Sequence, residues 1–189
     1  MLNLYKLIEI LISLQIIIIS TLLPVYIPLP FKILSNNTFE LPITMQIPTM
    51  IFLTLIFDRK VVFKAFTIYI ILGLFIFPVF VQGGSVGYLL TPNFGYLLGI
   101  FPLILIIDKL NKRDKLNIGN FLINGFLAII AMHLTGIIYN FIQIITYSKF
   151  NIFLYNIGKY SFGKIGYHLM MLISLMILIR PIKYIKYNK

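Results

Sequence analysis

The chain has 189 residues, of which 60% are hydrophobic and 11% charged, with a mean hydropathy of +0.98. A soluble domain carries about a quarter charged residues, so a water-soluble fold has nowhere to bury this much Ile and Leu and is excluded. The formal net charge of +11 belongs to no separate soluble domain, so nucleic acid is not an expected partner, and the lack of cysteine removes disulfides and thiolate metal sites.

A helix that crosses the hydrocarbon needs about 20 apolar residues at about 1.5 Å each. Six segments qualify: 4–23, 42–57, 62–80, 94–108, 120–146 and 165–180. The expectation is an all-α integral membrane protein with six transmembrane helices, one domain over 1–189, multi-pass in the plasma (cell) membrane. The first segment ends at Pro24, with Pro28 and Pro30 behind it, because proline lacks a donor and forces extended geometry before it. Its long apolar run has no small-x-small cleavage site, so it reads as an anchor and not as a removed signal peptide.

The second segment opens with "ELPITMQIP" (40–48) and closes at Asp58-Arg59-Lys60. Thr44 and Gln46 lie two residues apart, about 200° round a helix, so they line one site only if this span begins irregularly. Pro42 and Pro48 favour such a start.

The third segment runs into "VFVQGGSVGYLLTPNFGYLLGI" (79–100), which is rich in glycine and has no charge. Gly83, Gly84, Gly87 and Gly95 carry two readings. One is turn chemistry; the other is a backbone that approaches a ligand closely and offers it free N–H groups. Gly95 and Gly99, four apart, also suit close helix packing. His133 lies on the fifth segment, and "GKYSFGKIGYH" (158–168) leads into the sixth and ends at His168. Neither histidine has an acidic partner within sequence reach, so no metal site is expected.

Lys and Arg set the orientation. With both termini cytoplasmic, the inner side holds Lys6, Arg59, Lys60, Lys64, Lys109, Lys112, Arg113, Lys115, Arg180, Lys183, Lys186 and Lys189, twelve of sixteen. The outer side holds Lys32, Lys149, Lys159 and Lys164, and the 81–93 loop holds none. On this topology the 40–48, 79–100 and 158–168 stretches converge on the outer half of the bundle. Polar groups at membrane depth are costly unless they line a cavity or pair together, so a shared pocket is expected.

Catalysis has no support. The five acids are Glu9, Glu40, Asp58, Asp108 and Asp114, and the last three fall at the inner edge beside Lys and Arg. No paired carboxylates, nucleophile motif or glycine-lysine phosphate loop is present, so neither an enzyme nor a bound cofactor is expected.

The run "LPITMQIP", then Phe-Pro-Val-Phe at 77–80, then "GGSVGYLLTPNFGYLLG" resembles the BioY family. These are biotin-binding components of energy-coupling-factor transporters. The family pattern is Pro-x-Thr-x-Gln opening the second helix, Gly-Leu-Pro-Val-Phe, a Gly-Gly loop, and Pro-Thr-Gly-Gly-Tyr-Leu-x-Gly-Phe entering the fourth. This chain keeps Pro42, Thr44, Gln46, Pro78, Phe80, Gly83, Gly84, Pro92, Gly95, Tyr96, Leu97 and Gly99 in order. The family usually carries Asp-x-x-Lys before the last helix. Here "SFGKIGY" offers Lys164 and Tyr167 in those places, or Ser161 and Lys164 if the register slips by three. Asn93 and Phe94 replace the usual Thr-Gly, and the first helix lacks an alanine-rich docking face.

The resemblance implies a biotin uptake component with biotin as transported ligand, set in the lipid bilayer, working with a coupling subunit and ATPases. The implied binding residues are Thr44, Gln46, Phe80, Gly83, Gly84, Asn93, Tyr96, Lys164 and Tyr167. The ureido ring would take hydrogen bonds from Thr44, Gln46, Asn93 and loop amides, and the carboxylate would take Lys164. Two alternatives stay open: a component for another vitamin-like molecule, and a membrane scaffold of the same fold that no longer transports.

Overall fold

A computed structural model describes residues 4–28, 38–81, 83–111, 118–147 and 150–187. Lys32, Gln82, Lys112, Arg113, Asp114, Lys115, Lys149 and Lys189 lie outside them. Helix α1 (Leu4–Leu22) has no breaker until Pro24, and Ile10, Ser13, Ile17, Ser20 and Thr21 form its buried stripe. The Ser20 and Thr21 hydroxyls both donate to the Ile17 carbonyl, at 2.9 and 2.8 Å, which keeps them satisfied inside an apolar bundle.

The chain then departs from the all-helical expectation. Strand β1 (Pro24–Pro28) pairs antiparallel with β2 (Thr38–Thr44), with Val25 opposite Leu41 and Pro24 opposite Thr44 across an irregularity. Proline has a fixed φ and no donor, and it disfavours helix in the residue before it, so Pro24, Pro28 and Pro42 select extended backbone here. Val25, Leu41 and Ile43 form a small apolar cluster covered by Ile27, Met45, Tyr167 and Met171.

The second span therefore starts later than residue 42, as α2 (Gln46–Ile56). Helix α3 (Arg59–Phe75) follows after a short bend in which the Asp58 carbonyl accepts from the Val61 and Val62 amides. It stops before residue 80 because Phe77, which precedes Pro78, is biased away from helix. A 3-10 turn over Val86–Leu90 leads to α4 (Pro92–Leu98) and α5 (Ile100–Asn111). Gly99 joins these two, and its amide and carbonyl carry helical hydrogen bonds across the junction. Helix α6 (Ile118–Tyr147) is the longest; α7 (Phe150–Ile157), a π turn over Gly158–Phe162 and α8 (Gly163–Tyr187) complete six helical passes.

Four stretches are long and apolar enough to cross a membrane: Leu4–Leu22, Pro92–Lys109, Gly119–Ile144 and Phe150–Ile179. Lipid tails are as apolar as leucine, so association rests on close packing. Glycines supply it. A Cβ at Gly99 would strike the Met132 carbonyl, one at Gly95 or Gly136 would enter the ring of Tyr139 or Tyr96, and one at Gly125 would stand 2.7 Å from a Leu172 methyl. Ile123, Leu134, Ile138, Phe141, Ile177 and Leu178 stay exposed, as lipid-facing residues must.

The charges gather where α1 begins and α2 ends. Lys6 lies 3.9 Å from Asp58, and Arg59 lies 3.5 Å from the buried Asp108. The polar stretches lie at the opposite end.

Candidate functional site

At that opposite end a cavity of about 560 Å³ opens between the end of α1, the β ladder, the start of α2, α4, α6 and the segment entering α8. Its size is that of a small-molecule site. Thr44 is the last residue of β2 and Gln46 the first of α2, with Met45 between them as the turn. This irregular entry puts both side chains on one cavity wall, which a continuous helix would not.

Gln46 is held from behind. Its Nε2 donates to the Tyr69 hydroxyl at 3.4 Å, and that hydroxyl donates to the Val79 carbonyl at 3.4 Å. Tyr69 belongs to an aromatic row in which Tyr69 meets Phe80, Phe80 meets Tyr88, and Tyr88 meets Phe94, with centroids 5.4, 4.5 and 6.4 Å apart. Tyr88 and Asn93 both line the cavity. Burial pushes the Tyr88 phenol up to about 12, so it remains a neutral hydrogen-bonding group.

A second polar wall rises from α4, α6 and α8. The hydroxyls of Tyr96 and Ser161 lie 2.7 Å apart, Ser161 Oγ lies 3.4 Å from His133 Nδ1, and His133 Nε2 lies 3.2 Å from His168 Nδ1. The π turn carries Ser161 inward, and both histidines are buried. Lys159 and Lys164 place their ammonium groups 5.2 and 5.3 Å from the Tyr160 ring centroid. Both lysines, Tyr160 and Glu40 line the cavity, and Glu40 accepts from the Tyr26 hydroxyl at 3.4 Å.

Of the residues expected at a binding site, Thr44, Gln46, Asn93, Tyr96 and Lys164 line this cavity. Phe80 lies one layer behind, buried beneath Tyr88 and against Gly73. Gly83 and Gly84 sit in the turn that links α3 to the 3-10 segment. Gly83 has φ +95°, which glycine permits, and it exchanges both backbone hydrogen bonds with Phe80 at 3.0 Å. The site of a Gly84 Cβ is 2.5 Å from the Gly73 carbonyl oxygen and 2.7 Å from Pro78 Cα, so its close approach is to α3. The loop reaches the cavity through Val81, Tyr88 and Asn93. Tyr167 covers the β ladder. Of Ser161, Lys164 and Tyr167, only Lys164 lines the cavity; Ser161 sits behind it against Tyr96 and His133.

Sequence reasoning expected three polar stretches to converge but did not single out Tyr88, Tyr160, Lys159, Glu40 or the two histidines as cavity-lining residues. One signal was available for the histidines: each lies within a long apolar helix, His133 midway along α6 and His168 in the second turn of α8, where an unpartnered ring is costly. The distance of 35 residues between them hid the pairing.

A family model described as the BioY family matches residues 2–179. A "Probable biotin transporter BioY" from Lysinibacillus sphaericus is 28% identical over 107 residues, which cover 54% of this chain and 53% of that protein. The chain thus spans about half the length of the curated relative it matches. A solved structure of the S-component for biotin from an ECF-type ABC transporter superposes with a TM-score of 0.60 at 18% identity, covering 95% of each chain. At that identity the likeness is one of fold.

Proposed function

The chain belongs to the BioY family, and from that premise we propose that it is the substrate-binding component of a biotin uptake transporter. The observation that carries this reading is the cavity itself. It combines neutral hydrogen-bonding groups (Thr44, Gln46, Asn93), aliphatic walls (Leu22, Ile43, Ile47, Leu97) and two lysines in one small-molecule-sized space. Biotin asks for that combination: a ureido ring with donors and an acceptor, a hydrocarbon tail and one carboxylate.

In this reading the ureido head lies inward against Gln46, Thr44 and Asn93. The tail crosses the aliphatic walls, and the carboxylate meets Lys164, with Lys159 nearby. The cavity faces outward and both termini are cytoplasmic, because twelve of the sixteen Lys and Arg then lie inside. The chain has no phosphate-binding glycine-lysine loop, so the energy for release comes from a coupling subunit and its ATPases. The test is purification in mild detergent, mass spectrometry of any co-purifying small molecule, and calorimetric titration with biotin. Monodisperse protein that neither carries nor titrates biotin overturns the reading.

A further inference from the structure

A second cavity, of about 340 Å³, opens on the side of the bundle between the start of α4, the last turns of α6, and α7. That volume is within the range of small-molecule sites. Three amides line it: Asn140 and Gln143 on α6, and Asn156 on α7. Among the described residues no ionisable side chain does.

Backbone carbonyls fix how these amides face, because a carbonyl can only accept. The buried Asn140 donates through Nδ2 to the Gly136 and Pro92 carbonyls, at 2.8 and 3.3 Å. Its Oδ1 is thereby turned to Asn156, whose Nδ2 donates to it at 3.3 Å. Gln143 Nε2 donates to the Leu89 carbonyl at 3.5 Å. A primary amide has two hydrogens and one oxygen, so Gln143 and Asn156 each keep one N–H and one C=O. Among the described residues none of those four groups has a further partner. The wall thus offers donors beside acceptors and no charge. A hydroxyl both gives and takes a hydrogen bond, so a cluster of hydroxyls matches it. An ion would leave water with no opposite charge to meet.

The rim of this cavity is apolar. Leu90 and Ile152 line it and are 64% and 50% exposed. Phe141 and Ile142, just before Gln143 on α6, are exposed as lipid-facing residues are. Helix α6 has 30 residues and spans about 45 Å, the thickness of a bilayer with its headgroups. Gln143 and Asn140 precede its last residue, Tyr147, by about 6 and 10 Å, at the boundary between headgroups and hydrocarbon. A free sugar would satisfy the amides and leave the apolar rim bare, whereas an amphiphile covers both.

We propose that this side cavity binds the neutral, hydroxyl-bearing head of a membrane lipid, with its acyl chains against the exposed rim. The site lies back to back with the larger cavity. Tyr88 and Asn93 face the larger one, while Leu90 and Pro92 face the amides. The inference holds whatever ligand the larger cavity takes.

The test uses the full chain in nanodiscs of phosphatidylcholine, whose head has no hydroxyl. These are doped with a glucosyl diacylglycerol or with phosphatidylglycerol of the same acyl chains. Lipid that stays on the protein after transfer to an amine-oxide detergent is counted by native mass spectrometry. The parent should retain one glucosyl lipid in preference to both phospholipids. Retention should fall roughly tenfold in Gln143→Leu and in Asn156→Leu. The Leu89 carbonyl still accepts from the Tyr139 hydroxyl in Gln143→Leu, so that variant should fold like the parent. Thr67→Val, on α3, should retain the lipid unchanged. A parent without preference, or one that holds phosphatidylglycerol equally well, overturns the proposal. Undiminished retention in either leucine variant does the same. Displacement of the lipid by free glucose would keep the hydroxyl chemistry and overturn a lipid as its source.

Discussion

The Tyr69 hydroxyl accepts from Gln46 Nε2 at 3.4 Å and donates to the Val79 carbonyl at 3.4 Å, so one buried phenol ties the first residue of α2 to the turn after α3. Tyr69 is fully buried, and its ring packs between Phe66 and Phe80. Tyr69→Phe keeps that packing and removes only the tie. Ligand affinity should fall by up to roughly tenfold, for a hydrogen bond of about 0.5–1.5 kcal/mol. The same variant should still elute as one species. Unchanged affinity by calorimetry would mean that Gln46 orients without Tyr69.

Lys164 and Lys159 flank one aromatic ring, yet Lys164 is half-buried and Lys159 is exposed. Charge-assisted hydrogen bonds of about 1.5–3 kcal/mol predict a roughly 10- to 150-fold loss of biotin affinity in Lys164→Ala. Lys159→Ala should lose less, because solvent screens its charge. Biotin amide, which lacks the carboxylate, should be almost indifferent to Lys164→Ala. Equal losses for biotin and its amide would place the carboxylate elsewhere.

The glycines of the linking turn should show up as stability. A Cβ at Gly84 meets the backbone of Gly73 and Pro78, which cannot rotate away, so Gly84→Ala should cost about 1–3 kcal/mol and lower the melting temperature in detergent. Gly83→Ala meets no atom within 4 Å but must hold φ +95°, a strain of about 1–2 kcal/mol. Gly166→Ala also meets nothing within 4 Å and should melt like the parent. A Gly84→Ala melting curve that overlays the Gly166→Ala curve would contradict this packing.

Topology is open to direct test in a chain without cysteine. Single cysteines at Ser85, in the turn beside the cavity, and Asn111, at the far end of α5, should react with an impermeant thiol reagent from opposite faces of the membrane. Ser85 should label in intact cells and Asn111 only after lysis. The reverse pattern would invert the molecule and close the cavity to external ligand.

Much of this was legible in the residues. Pro24 ends α1 where it should, six helical passes follow from apolar length, and Thr44 and Gln46 meet on one wall because the second span starts irregularly. The β ladder was not legible. Its strands are short and contain proline, and they fall between the first two apolar segments, with only the end of β2 reaching into the second. Gly84 announced a close backbone approach, but a glycine does not name its neighbour, and here a Cβ would meet the backbone of Gly73 and Pro78. His133 and His168 meet only because α6 packs on α8, a relation that lives in tertiary structure.

Helix α2 has consequences for how far a ligand must travel. Its 11 residues span about 16 Å at 1.5 Å each, roughly half of the 30 Å hydrocarbon layer. Such a segment would be badly mismatched if lipid touched it. Eight of its residues, from Gln46 to Leu55, are buried, so protein surrounds it almost entirely. On the proposed orientation, a ligand seated against Gln46 is separated from the opposite end of the bundle by the length of α2, about 16 Å.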